Sequence, residues 1–457
     1  MTMLRRATDY LLILLIFLLP IQTQLRIEEE TLQGADWDFG RISLYAIDIL
    51  ALAVIAASAA TQPMRRRRTS QAGFILLGIF CVSLLLSVVL NHEAPQSWYL
   101  ALRFLVGFGV AWSIANSRLP AWTLSTSFIA SMGLNALFAV WQSYAQQVPH
   151  ITLLSMAPHF PHIGGTSIVG STIGRYLRAY GTLPHPNILG GFLGIALLLA
   201  IVFALRLRFS HVQKPARRVV IRSLFIGVIG LLFMALLLSF SRSAWVGLAC
   251  GVGLLSITSC IMPKKRMRTW ALLAIVFAVV GIVVAGSLFP LFRERVVAQD
   301  PHEKTSIADR QEITNDALAI LKENWWKGVG LTRFGTYVVD NIDPDRSIWH
   351  LHPVHNVVLL LASEASVFPA LLFLILFVKL CLDAFKKTRE AIDESSHFPL
   401  AAGALALLAF LGVVAMFDNY FVALAPGLYL LFFVFGLCFR FLYDSSDHPR
   451  SEGEDGA

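Results

Sequence analysis

The side chains best suited to chemistry lie in a polar stretch, 293–353, which carries Arg310 and leads into His350-Leu351-His352-Pro353-Val354-His355-Asn356. In a chain with 14% charged and 56% hydrophobic residues, such a segment is a candidate site of catalysis. His355 stands at the head of an apolar run. A neutral imidazole titrates near physiological pH and can accept or orient the proton of an attacking hydroxyl. Arg178 lies in Arg175-Tyr176-Leu177-Arg178-Ala179-Tyr180-Gly181-Thr182-Leu183-Pro184-His185-Pro186-Asn187, just before another apolar run. A guanidinium beside a helix N-terminus forms an anion site; the alternative is a contact with lipid phosphates. Arg242, in Ser239-Phe240-Ser241-Arg242-Ser243-Ala244-Trp245, is a further cation of this kind or a topological anchor.

Local signals place these residues. Pro184 and Pro186 disfavour helix before Asn187, which can cap the following helix. Gly190 and Gly191 leave room for a close neighbour. In the polar stretch, Asp309 can cap a helix running through Ile313, Ala317, Ile320, Leu321 and Trp325 to Gly328. Arg310 would then oppose the dipole of its own first turn. The three histidines have workable ligand spacing, but Pro353 interrupts any shared helical face and no cysteine is near. No metal and no cofactor are therefore expected. Asp36-Trp37-Asp38 and Asp343-Pro344-Asp345 define a rival metal-dependent mechanism, because paired carboxylates can hold a divalent ion.

The elements that position these residues are membrane helices. The chain has 457 residues and a mean hydropathy of +0.66. Apolar runs long enough to cross about 30 Å of hydrocarbon recur at roughly twelve places: 9–24, 42–62, 73–91, 98–116, 121–143, 187–206, 222–240, 244–262, 270–291, 354–383, 399–417 and 421–443. Lys and Arg gather at Arg65-Arg66-Arg67-Arg68, at Arg206, Arg208, Lys214, Arg217 and Arg218, at Lys264, Lys265, Arg266 and Arg268, and at Lys386, Lys387 and Arg389. These clusters fall on one side, which is read as cytoplasmic. Stretches 25–41, 145–186 and 293–353 then face outward. The net charge of +8 follows from this sidedness, so no nucleic-acid partner is expected. Residues 1–22 resemble a signal peptide but no small-x-small site follows, so a retained first helix is expected. All five cysteines fall in apolar runs, away from any disulfide or zinc spacing.

Several motifs in order resemble the O-antigen ligase and polymerase superfamily of bacterial membrane glycosyltransferases. They are Arg178-Ala179-Tyr180-Gly181-Thr182 with Pro186-Asn187, the Ser239–Trp245 turn, the Arg310 helix leading to Gly328-Val329-Gly330, and His355-Asn356 with Glu364. They cover about 178–366; outside them the helix count agrees. Ser366 departs from the family, which usually has glycine there. The resemblance implies an all-α polytopic, GT-C-like fold of about 12 transmembrane helices with a large periplasmic loop. It divides the chain into an N-terminal transmembrane region (1–177), a ligase-like core (178–383) with periplasmic loop 293–353, C-terminal helices (384–443) and a disordered tail (444–457). It implies an inner-membrane, inverting, metal-independent transferase with an undecaprenyl-diphosphate-linked glycan as donor. Lipid A-core, another glycan or a protein serine would be the acceptor, for ligase, polymerase or protein-glycosylating branches respectively. Essential residues map onto Arg178, Arg310 and His355, with Arg242, Arg175, Asn187 and Asn356 as substrate contacts. A lipid-linked sugar transporter is the rival of a different class; it would need charges inside the spans, which beyond Arg103 are scarce. A non-catalytic scaffold would tolerate loss of all three essential residues.

Overall fold

The computed structural model describes residues 2–61, 71–91, 94–171, 174–206, 215–260, 267–297, 301–391 and 398–443. The clusters Arg65–Arg68 and Lys264–Arg266, together with Arg208, Lys214 and the tail 444–457, lie outside the described residues. In chain order the elements begin with α1 (Thr2–Phe17), the hairpin β1 (Gln24–Leu32) and β2 (Ala35–Tyr45), then α2 (Ala46–Thr61), α3 (Gln71–Asn91), α4 (Pro95–Asn116) and α5 (Ala121–Ala145). A second hairpin, β3 (Ile168–Ser171) and β4 (Gly174–Leu177), precedes α6 (Pro186–Arg206), α7 (Pro215–Leu238), α8 (Arg242–Cys260) and α9 (Met267–Ser287). The rest comprises α10 (Phe289–Val297), α11 (Pro301–Asn324), α12 (Phe334–Asn341), α13 (Val357–Glu364), α14 (Val367–Glu390), α15 (Phe398–Phe417), α16 (Tyr420–Ala423) and α17 (Ala425–Tyr443).

Among the described residues, nine helices are long and apolar enough to cross a membrane: α3, α4, α5, α6, α7, α9, α14, α15 and α17. The protein is thus a polytopic, predominantly α-helical membrane protein, as expected, but its elements depart from the sequence reading in four ways. First, α1 and α2 are 16 residues each, about 24 Å of helix against about 30 Å of hydrocarbon. The first helix stops at Phe17, because Pro20 follows and the chain turns extended at Gln24. Second, the expected tenth span, 354–383, is two helices. The chain breaks between α13 and α14 at Ser366, whose φ is 113°. Only glycine adopts that region without strain, which accounts for the usual family residue there. Third, α11 starts at Pro301, so Asp309 and Arg310 lie inside the helix and the dipole penalty on Arg310 does not apply. Pro301 is a good first-turn residue, and Asp309 instead accepts from His350 Nδ1 at 3.1 Å. Fourth, two stretches expected to face outward form β-hairpins. In β1–β2 the turn residues Gln33 and Gly34 both have positive φ (52° and 79°), which suits the twist of a two-residue hairpin loop.

The core runs through α6 and α17, whose apolar windows are 94% and 100% buried, while that of α9 is 11% buried. An all-apolar helix so exposed faces lipid. α6 packs on α5, α7, α8 and α15, and α17 packs on α4. One end of the bundle gathers the polar connections. Gln33 Nε2 donates to Pro344 O (3.0 Å), Asn91 Nδ2 to Lys327 O (2.8 Å) and Ser97 Oγ to Leu331 O (2.6 Å). Trp37 of β2 is buried against Gly335, where no Cβ would fit. Below this hairpin, Arg103 of α4 pairs with Asp48 of α2 at 2.8 Å.

Candidate active site

Three helices, α6, α8 and α13, begin at this end, and their N-termini bring positive dipole ends to it. Asn187 does not cap α6. Its backbone N–H donates to His185 Nδ1 (3.1 Å), so His185 caps the helix ahead of Pro186. The freed Asn187 amide bridges two charges: Oδ1 accepts from Arg178 Nη2 (2.5 Å) and Nδ2 donates to Asp418 Oδ1 (2.8 Å). The Asp418 Oδ2 accepts from Ser243 Oγ at 2.6 Å. Gly190 and Gly191 permit this approach, because a Cβ on either would collide with Ser241 or with the Tyr420 hydroxyl.

Arg178 is buried and donates three ways, to Ser239 O (2.9 Å), Ser167 Oγ (2.9 Å) and Asn187. The next carbonyl, that of Phe240, accepts from Arg295 Nε at 3.0 Å. These two carbonyls follow the end of α7, where the helix leaves acceptors unsatisfied. Phe240 has φ 49°, and its ring packs among Tyr176, Trp245 and Phe292. Arg242 opens α8 two residues later and is half-buried.

His355 sits before α13, in a segment stitched to the α15–α16 junction. Asn419 Nδ2 donates to Pro353 O (2.8 Å) and Val354 O (3.2 Å). Asn356 Nδ2 donates to Met416 O (3.3 Å), while its Oδ1 caps α13 by accepting from Leu359 N (2.9 Å). The His355 Nδ1 is buried without a hydrogen-bond partner among the described residues. Arg310, on α11, acts electrostatically on His355, and Glu364 of α13 fixes the segment that follows α11. Its carboxylate accepts from Thr332 N (3.0 Å) and Phe334 N (3.3 Å), and its carbonyl accepts from Gly330 N (2.8 Å). Gly328, at φ 74°, passes so close to the Glu364 carbonyl that a Cβ there would overlap it.

Electrostatics ties these groups together. Burial pushes His355 down to about 3, with Arg310 adding to the effect, so the imidazole is neutral. Burial likewise lowers Arg178 to about 10 and Arg295 to about 8, and each feels Arg242 and Arg310 as neighbouring cations. Burial holds His185 well below its ordinary value, reinforced by Arg178, His355, Arg310 and Arg295. Asp418 is raised by burial against the opposing pull of Ser243, Arg310, Asn187 and Arg178. Four guanidiniums thus share one field with Asp418, a neutral histidine at its edge. Such an arrangement binds a multiply charged oxyanion and stabilises charge developing on it.

Arg178, Arg242, Arg310, Asn187 and His355 meet in this assembly, and Asn356 holds its backbone. Arg175 stands apart: it is exposed on β4 and donates Nε to Pro161 O at 2.6 Å. The histidines diverge, His350 to Asp309 and His352 edge-on to Phe39. Asp36 is exposed, Asp343 pairs with Arg346 (3.2 Å), and no group of three or more His, Cys, Asp or Glu is gathered for a metal among the described residues. Sequence reasoning missed Arg295, Asp418, Asn419 and the capping His185. The available signal was Asp418-Asn419, a polar pair between two apolar runs on the side of the membrane assigned to His355.

No curated protein matches the chain. A family model described as O-Antigen ligase matches residues 227–374, a stretch that contains Arg242, Arg295, Arg310 and His355 but neither Arg178 nor Asp418. Over that stretch the chain is similar to the O-antigen ligase family.

Proposed function

We propose that this protein transfers a glycan from undecaprenyl diphosphate to an acceptor hydroxyl at the periplasmic face of the bacterial inner membrane, as an O-antigen ligase acting on lipid A-core. The observation that carries the reading is the convergence of Arg178, Arg242 and Arg310 with a neutral His355 at one end of the bundle. That end is read as outward, because Arg206, Arg217, Arg268, Lys386, Lys387 and Arg389 mark the other helix ends.

In the reaction, the acceptor oxygen bonds to the anomeric carbon as the bond from that carbon to the diphosphate oxygen breaks. The electron pair leaves on the phosphate, where Arg310 and Arg242 stabilise it without a metal ion. Arg178, with three of its N–H groups on protein acceptors, contributes its charge and holds the Ser239 turn. The hydroxyl proton passes to His355. Burial, with Arg310 adding to it, disfavours that proton; a bound diphosphate offsets the Arg310 contribution and makes the imidazole a somewhat stronger base.

A deletion strain tests the reading through its lipopolysaccharide bands. A ligase predicts loss of every long-chain band with lipid-linked polymer accumulating, restored by the parent chain. Arg310→Ala should insert normally yet lower transfer by about 10²–10³-fold. A core bearing a single repeat would instead indicate the polymerase branch, and unchanged lipopolysaccharide would overturn the ligase assignment.

A further inference from the structure

The turn 239–242 is clamped from both sides. Arg178 takes the Ser239 carbonyl and Arg295 takes the next one, that of Phe240. Consecutive peptide carbonyls lie only a few ångströms apart, at about one residue's rise, so the two guanidiniums are neighbours. Phe240 is in the left-handed region at φ 49°, a conformation that persists only where its surroundings enforce it. Arg242 follows as the first residue of α8, so the orientation of this turn decides where Arg242 points. Arg295 is buried, at 9% exposure, on the short helix α10.

We propose that Arg295 is a positioning residue of the phosphate site: its Nε fixes the Phe240 turn that presents Arg242, and its charge adds to the field that binds the donor's diphosphate. Repulsion among Arg178, Arg242, Arg295 and Arg310 rises as they converge, and an arriving dianion relieves it for all four at once. Burial depresses Arg295, and the further lowering by Arg178, Arg242 and Arg310 accords with that proximity. The proposal rests on the donor reading above.

Three full-length proteins in lipid nanodiscs provide the test: the parent, Arg295→Lys and Arg295→Gln, each titrated with undecaprenyl diphosphate and with undecaprenyl monophosphate. Both substitutions can still donate to Phe240 O, but only lysine keeps the charge. Diphosphate binding should weaken about tenfold in Arg295→Gln and remain within about threefold of the parent in Arg295→Lys, the size of one charge-assisted hydrogen bond. Monophosphate binding should weaken less. Equal affinities for the two variants, whether both normal or both reduced, would overturn the charge role. A parent that binds neither lipid would instead overturn the donor reading, so the two failures are distinguishable. Misfolding does not blur the result, because a lysine variant that binds normally shows that position 295 tolerates exchange.

Discussion

Two buried arginine sites lie at the same end of this bundle and are built on opposite principles. Arg103 is closed. Asp48 takes its Nη2 at 2.8 Å, the rings of Tyr99 and Tyr45 stand 4.2 and 5.0 Å from its guanidinium carbon, and Tyr429 donates to Asp48 at 2.6 Å. The assembly around Arg178 is open. Arg178 is held by the neutral acceptors Ser239, Ser167 and Asn187 and feels Arg242 and Arg310 as like charges, while the nearby carboxylate, Asp418, accepts from Ser243 and Asn187. A charge buried for architecture brings its counter-charge with it. A charge buried for a ligand leaves the balance to be completed by that ligand. Arg103, the charge inside the spans weighed for a transport path, is therefore a clamp beneath the β1–β2 hairpin.

The contrast can be broken most severely at Arg103. Arg103→Met leaves Asp48 buried without its cation and should cost about 3–5 kcal/mol, read as a lower melting midpoint in detergent. Adding Asp48→Asn removes the buried charge, keeps one of the two acceptors used by Tyr429 and the Tyr45 N–H, and should recover most of that loss; a double variant no better than the single would show that the pair is not a closed unit. At the open site, Asp418→Asn preserves most hydrogen bonds but deletes the negative charge. Turnover should fall about tenfold to a hundredfold, the range of a charged hydrogen bond, while the KM for donor does not rise, since the arginines attract diphosphate more strongly. A raised donor KM would contradict this. The smallest effect concerns acid. Folded His355, pushed down to about 3, stays neutral where the unfolded chain, with its ordinary value of 6.5, takes up a proton. Between these values the unfolded state binds more protons, so stability falls as pH falls, by about 1 kcal/mol at pH 5.5. In His355→Gln the drop in melting midpoint of the ligand-free protein from pH 7.5 to 5.5 should be smaller; identical drops would remove His355 from this balance.

Legibility in the sequence followed the range of the forces involved. Apolar runs revealed the long helices because lipid demands continuous hydrophobicity, whatever the partner helix. Arg310 and His355 stood out because charge and imidazole are rare in such a chain. Gly190-Gly191 correctly signalled a close approach, although its partners, Ser241 and Tyr420, were not readable. The break at Ser366 was invisible, since the apolar run continues through it and only tertiary packing imposes the left-handed φ. Asn187 was misread as a cap because its cap-like position was visible, while the competing claims of Arg178 and Asp418 come from distant segments. Asp418 and Arg295 escaped for the same reason: each acts through contacts that no local spacing encodes.

Trp37 in its Gly335 notch has a consequence for biogenesis. The first outer loop and the third are latched together, Gln33 bonding Pro344 across 311 residues of chain. At ordinary synthesis rates that interval lasts roughly fifteen to sixty seconds. Throughout it the hairpin waits at the membrane surface with its indole uncovered. Maturation of this end of the bundle is therefore paced by translation of the second half, and a nascent chain halted before residue 335 should present Trp37 to quenchers that the finished protein excludes.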